Sequence, residues 1–182
     1  MKPGQKFRNA LKNNKPLIIP GTINAYSAKL AELANHNSIY LSGSGVAAAS
    51  YGLPDLGVTT LENVLIDAKR ITSATSLPLL VDIDTGWGDF DAISNTIIEM
   101  GNANVAAVHI EDQIFDKRCG HRPNKQLVSI DEMQDRLKAA LDAKIDDSFF
   151  IMARTDALAS EGIEKAIELS LIHISEPTRQ IV

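Results

Sequence analysis

The sequence predicts an α/β protein built on parallel strands, of the (β/α)8 TIM-barrel class, with about the first five βα units present. Three observations predict it. Short apolar runs alternate with amphipathic helical patterns. The runs show no polar alternation, as strands buried on both faces do not. Polar residues of unusual kinds gather just after the runs, where the strand C-termini of a barrel form the active-site face. A doubly wound sheet would concentrate its site at a single switch point instead.

The first run is Leu17-Ile18-Ile19 and the second Ile39-Tyr40-Leu41, which leads into Ser42-Gly43-Ser44-Gly45. A capping box Thr59-x-x-Glu62 opens a helix whose buried face is Leu61, Val64, Leu65, Ala68 and Ile71. The third run, Leu79 to Val81, ends on Asp82 and Asp84. Asp89 and Asp91 cap the next helix, marked by Ile93, Ile97 and Ile98 and closed by Gly101. The fourth run, Val105 to Ile110, ends on Glu111 and Asp112 and places His109 at the edge of the core. The segment from Glu111 to Val128 is long for a βα loop, and such loops are usually functional. Ser129-x-x-Glu132 starts a helix with Ile130, Met133, Leu137, Ala140 and Leu141 on one face. The fifth run, Phe149 to Ala153, ends on Arg154 and Asp156.

Bulk properties narrow the function. A 182-residue chain with 45% hydrophobic and 23% charged residues suits one globular domain. Its net charge of −5 argues against a nucleic-acid footprint. A single cysteine forms no internal disulfide, so a reducing cytoplasm is the expected compartment. Residues 1–15 are basic without an apolar segment, unlike a secretory signal, and no run is long enough to span a membrane.

Five strands are fewer than the eight, in about 250 residues, of a complete barrel. Leu169 to Arg179 reads, residue for residue, as the translation of a transposase-type sequencing adapter. The expectation is a partial barrel over residues 1–168, followed by a non-native segment over 169–182.

The candidate chemistry sits at the run ends. Asp82 and Asp84 are two apart, so an extended strand end points both the same way. Hard cations such as Mg²⁺ take carboxylate oxygens and retain waters, and Glu111 at the next strand end can complete such a site. Helix capping and solvation are the alternative for Asp-x-Asp. Cys119 lies in Lys117-Arg118-Cys119-Gly120-His121. Cationic neighbours favour the thiolate and make an inert buried thiol costly. One Cys and one His do not make a zinc site. Gly120 permits close backbone approach, and His121 and Arg122 can bind a carboxylate. Ser42, Gly43 and Ser44 offer hydroxyls and amides to an anion. Asp55 is either a turn former or a site residue. Tyr40 suits core packing. Arg154, inward at a strand end, needs an anion and would clamp a carboxylate.

Lys117-Arg118-Cys119-Gly120-His121-Arg122-Pro123-Asn124-Lys125 closely resembles the signature loop of the 2-methylisocitrate lyase family, within the isocitrate lyase/phosphoenolpyruvate mutase superfamily. Supporting segments are Gly21–Ala25, Tyr40–Gly43, Gly52–Gly57, His109–Gln113 and Met152–Ala157, and the likeness covers residues 4–168. The resemblance implies retro-aldol cleavage of 2-methylisocitrate to pyruvate and succinate, in the methylcitrate cycle of propionate breakdown. It implies Mg²⁺, with Mn²⁺ as the alternative ion, held directly by Asp84 and largely through waters by Asp82 and Glu111. Cys119 would protonate the succinate carbanion, and Tyr40 would act as base on the substrate hydroxyl. Ser42, Gly43, Ser44, Asp55, Lys117, Gly120, His121 and Arg154 would bind the tricarboxylate substrate. Relatives continue through three further strands, carrying a glutamate, an Asn-x-Thr segment and an arginine, and then through helices that build tetramers. The parent would therefore be a homotetramer. An isocitrate lyase or another superfamily lyase is the alternative activity. An inactive fragment is the alternative for this chain.

Overall fold

The computed structural model describes residues 1–178 except 116, 118 and 121–123. Four strands, β1 (Ile39–Leu41), β2 (Leu79–Asp82), β3 (Ala107–Glu111) and β4 (Phe150–Arg154), form one parallel sheet in the order β1-β2-β3-β4. Each strand pairs with its predecessor in sequence. Neighbour order without a switch point is that of a barrel wall, not of a doubly wound sheet.

The expected strand at Leu17–Ile19 is reduced to one parallel bridge, Gly21 to Tyr40. Tyr40 N–H donates to the Pro20 carbonyl and Thr22 N–H to the Tyr40 carbonyl. Pro16 and Pro20 bracket the run, and a proline has no N–H to give a ladder.

Among the described residues the helices are α1 (Pro3–Asn13), α2 (Ala25–Leu33), α3 (Gly43–Tyr51), α4 (Leu61–Ala74), α5 (Phe90–Asn102), α6 (Ile130–Asp142), α7 (Leu158–Glu161) and α8 (Ile163–Thr178). The predicted α4 face is buried in full. Its cap is Thr60 with Asn63, one residue later than expected; Thr59 is buried and its carbonyl accepts from Trp87 Nε1 at 2.9 Å. Ser129 caps α6 and Asp89 caps α5, as the sequence predicts, whereas Asp91 lies within the first turn of α5 and α5 runs one residue past Gly101.

Two cores flank the sheet. The larger packs outward-facing Ile39, Leu41, Leu79, Val81, Val108 and Ile110 against helices α2 to α6. The smaller lies on the inner face, where Phe7 of α1 meets Leu80 and Ala107, edge-on to Phe150 at 5.6 Å. Inner-face residues follow the two-residue period of a strand. Tyr40 sits beside Leu80, Asp82 beside His109, and Glu111 beside Arg154. The inner wall is thus apolar at its start and ionisable at its C-terminal end.

Candidate active site

Asp82 organises the C-terminal rim. Its Oδ1 accepts from the Asp84 amide at 3.1 Å, and its Oδ2 accepts from the Gly43 amide and the Tyr40 hydroxyl, both at 3.3 Å. Asp84 follows with φ 49°, a left-handed conformation that aspartate tolerates better than most residues. That turn brings its carboxylate beside Asp82: a side chain on Gly43 would meet Asp84 Oδ1 at 3.2 Å and Asp82 Oδ2 at 3.4 Å. A side chain there would crowd the two carboxylates by a few tenths of an ångström.

Ser42 to Gly45 is not the free loop its sequence suggests. Ser42 caps α3, accepting from the Gly45 amide at 3.3 Å, and its hydroxyl lies 2.9 Å from that of Ser44. The positive end of α3 therefore faces the carboxylates.

Lys117 is buried between two carboxylates, with Nζ 2.8 Å from Asp55 Oδ1 and 2.6 Å from Asp84 Oδ1. Burial alone would lower its pKa, but Asp84, Asp55 and Glu111 reverse this and push it up. Asp55 shows the converse. Burial pushes its carboxyl up, and the bond and charge of Lys117, the Cys119 thiol and Arg154 outweigh that and hold it below its usual value. Cys119 is half-buried, and its thiol bonds to Asp55. Lys117, one of the cations expected beside the sulfur, is paired with carboxylates, and Arg118 and His121 lie outside the described residues.

Arg154 reaches Glu111 Oε2 at 3.2 Å and Asp156 Oδ1 at 3.1 Å, so the anion it needs is already internal. A side chain at Gly120 would collide with its guanidinium, and Gly120 offers its carbonyl to Lys125. Gln113 Nε2 joins Glu111 to Asp156, at 3.0 and 2.6 Å. Arg136 Nη1 supports the Gln113 carbonyl at 2.9 Å.

Charge is in excess here. Burial, with repulsion from Asp82, pushes Asp84 up to about 6 despite Lys117. Burial pushes Glu111 up to about 8, against the opposing charges of Arg154 and Lys117. Tyr40 is driven well above the usual phenol range by burial and by Asp82. It keeps its proton at neutral pH and is a hydrogen-bond donor in the resting site. Its hydroxyl also lies 2.9 Å from His109 Nε2.

His109 was expected at the core edge and belongs to the site. Burial lowers its pKa, so it is neutral. Its Nδ1 lies 3.6 Å from Asp82 Oδ1 without a hydrogen bond. The available signal was parity: His109 shares the inner face with Glu111, two residues on. Of the expected residues, Tyr40, Ser42, Gly43, Ser44, Asp55, Asp82, Asp84, Glu111, Lys117, Cys119, Gly120 and Arg154 gather at this rim. His121 and Arg122 lie outside the described residues.

The rim suits a hard cation. Asp84 Oδ1 is buried and makes no well-directed hydrogen bond, only the ion pair to Lys117. Among the described residues no three His, Cys, Asp or Glu side chains close into a ready cage. The orphaned carboxylate oxygen is the feature that fits an ion such as Mg²⁺, which takes one or two carboxylates and keeps its waters. Asp84 would be the direct ligand, with Asp82 and Glu111 behind waters.

Residues 7–170 match the family model described as phosphoenolpyruvate phosphomutase. A 2-methylisocitrate lyase of Shewanella oneidensis is 62% identical over 172 residues, covering 94% of this chain and 59% of that protein. The crystal structure of 2,3-dimethylmalate lyase, a PEP mutase/isocitrate lyase superfamily member, matches with a TM-score of 0.89 and 34% identity, over 97% of this chain and 60% of that one. Phosphonopyruvate hydrolase in complex with oxalate and Mg²⁺ matches with a TM-score of 0.83 and 30% identity, over 97% of this chain and 60% of that one. The chain thus spans about three fifths of the length of these relatives. With the family match running almost end to end and the acidic strand ends meeting the cysteine loop at one rim, the chain belongs to the phosphoenolpyruvate phosphomutase family.

Proposed function

We propose that the protein is a carbon–carbon lyase that splits 2-methylisocitrate into pyruvate and succinate. The observation that carries this reading is the placement of Cys119, a half-buried thiol on Asp55, across the rim from Asp84. As the substrate hydroxyl gives its proton to Tyr40, and Tyr40 passes its own to neutral His109 2.9 Å away, the adjacent C–C bond breaks and its electron pair is left as a carbanion on the succinate half. Cys119 gives that carbanion its proton as general acid. Arg154, Gly120 and His121 bind carboxylates, and the Ser42–Ser44 turn at the positive end of α3 receives another. Mg²⁺, when bound, polarises the oxygen that becomes the ketone. Lys117 orients the substrate oxygens as a donor.

We further propose that residues 169–182 are foreign to the native protein. Helix α8 continues through Glu168 to Thr178, so the helix itself carries no mark of a junction. The reaction then belongs to the longer protein, obtained by reading the gene past the codon for Glu168. Its partners beyond substrate would be further copies of itself, in a tetramer. It should release pyruvate from 2-methylisocitrate at least tenfold more efficiently in kcat/KM than glyoxylate from isocitrate. The reverse preference would replace this substrate assignment with isocitrate, and release of neither product would remove the lyase reading.

A further inference from the structure

We propose that Lys117 sets the metal affinity of the rim: its ammonium holds the cation position at Asp84 Oδ1 and yields it to a divalent ion while remaining on Asp55. The inference rests on the reading of Asp84 as the direct ligand.

The geometry carries it. A hard divalent ion bonded to a carboxylate oxygen sits about 2.0–2.1 Å away. Lys117 Nζ is 2.6 Å from that same oxygen. Both cations on Asp84 Oδ1 would lie less than about 5 Å apart in a buried site, where like charges repel strongly. One must leave. Lys117 can do so without losing its charge partner, because Asp55 Oδ1 stands 2.8 Å away on the other side. Its stem has little freedom otherwise. A side chain at Gly57 would meet Lys117 Cγ at 3.1 Å, and Gly57 has φ 67°, so a glycine there leaves the groove the lysine lies in. The same Asp55 holds the Cys119 thiol.

The test is Mg²⁺ binding to the longer protein by titration calorimetry at constant ionic strength, without substrate, for wild type, Lys117→Met, Lys117→Gln and Lys117→Arg. Circular dichroism checks that each is folded. Removing the competing charge should tighten Mg²⁺ about tenfold or more in whichever neutral variant folds. Lys117→Arg keeps the charge and should stay within about threefold of wild type. If wild type binds Mg²⁺ and the neutral variants bind equally or more weakly, Lys117 does not compete and the proposal falls alone. If neither wild type nor any variant binds Mg²⁺, the metal reading and the proposal fall together. Binding by the neutral variants with none by wild type supports the proposal in its strongest form.

Discussion

Asp82 and Asp84 are two residues apart and do opposite work. Asp82 spends both oxygens on hydrogen bonds that tie β2 to α3 and Tyr40. Asp84 is held by one ion pair and is pushed up to about 6 by burial and by Asp82. Asp82→Ala should therefore cost about 2–4 kcal/mol of stability, since three donors lose a charged acceptor. Asp84→Asn, which tolerates the same backbone, should leave stability within about 1 kcal/mol of wild type and lower Mg²⁺ affinity at least tenfold. Denaturant unfolding and calorimetry on both variants check the contrast. A comparable stability loss in the two would show that they share one structural role. Cys119→Ser in the longer protein should lower kcat at least a hundredfold with KM changed less than threefold, because the proton is needed only as the bond breaks. Steady-state rates within threefold of wild type would remove the general-acid role. Most of these residues were legible from their chemistry at run ends. His109 was not, because a lone histidine in an apolar run looks like core until the register pairs it with Asp82.

Among the elements, helices were easier to read than strands. Ser129 and Asp89 announce α6 and α5 because a cap is a local bond between a side chain and an amide three residues on. Thr59 and Thr60 both satisfy that local rule, and tertiary packing chooses between them: Thr59 is taken by Trp87. The start of α3 was missed because Ser-Gly-Ser-Gly has the composition of a loop. The strand at residues 17–19 failed for want of a donor at Pro20. The C-terminal end of β3 also makes a pH prediction. Burial raises Glu111 from 4.5 to about 8, so the folded chain holds that proton where the unfolded chain has lost it. Its stabilising contribution is fully present below about 4.5 and is lost as pH rises through about 8. His109, with a lowered pKa, acts in the opposite sense only below about 6.5. Between pH 6.5 and 9 the melting temperature should fall, and Glu111→Gln should flatten the slope. A wild-type slope unchanged in Glu111→Gln would contradict the buried proton.

As a whole molecule the four-stranded wall leaves apolar surface uncovered. Every residue of β4 is only partly buried. Tyr26, Leu30 and Leu33 form an exposed stripe on α2, and Ile163, Ile167 and Leu171 form another on α8. No described helix is long and apolar enough to cross a membrane. An unpaired, apolar edge invites association between chains. The 182-residue chain should therefore melt at low temperature, aggregate on concentration and release no pyruvate, as thermal scans, light scattering and a coupled assay would register. A cooperative, high melting transition in a monomer would show that the wall is complete in itself. The barrel class was legible from the order of runs and polar ends. The inner plug of α1 was not, because its contacts with β4 join residues far apart in sequence. The central claim is that the rim of Asp84, Lys117, Asp55 and Cys119 is a Mg²⁺-assisted lyase site. Product analysis of the longer protein with 2-methylisocitrate tests it most directly. Equal amounts of pyruvate and succinate, formed only with Mg²⁺, are the predicted result; product formation unaffected by chelation of divalent ions would contradict it.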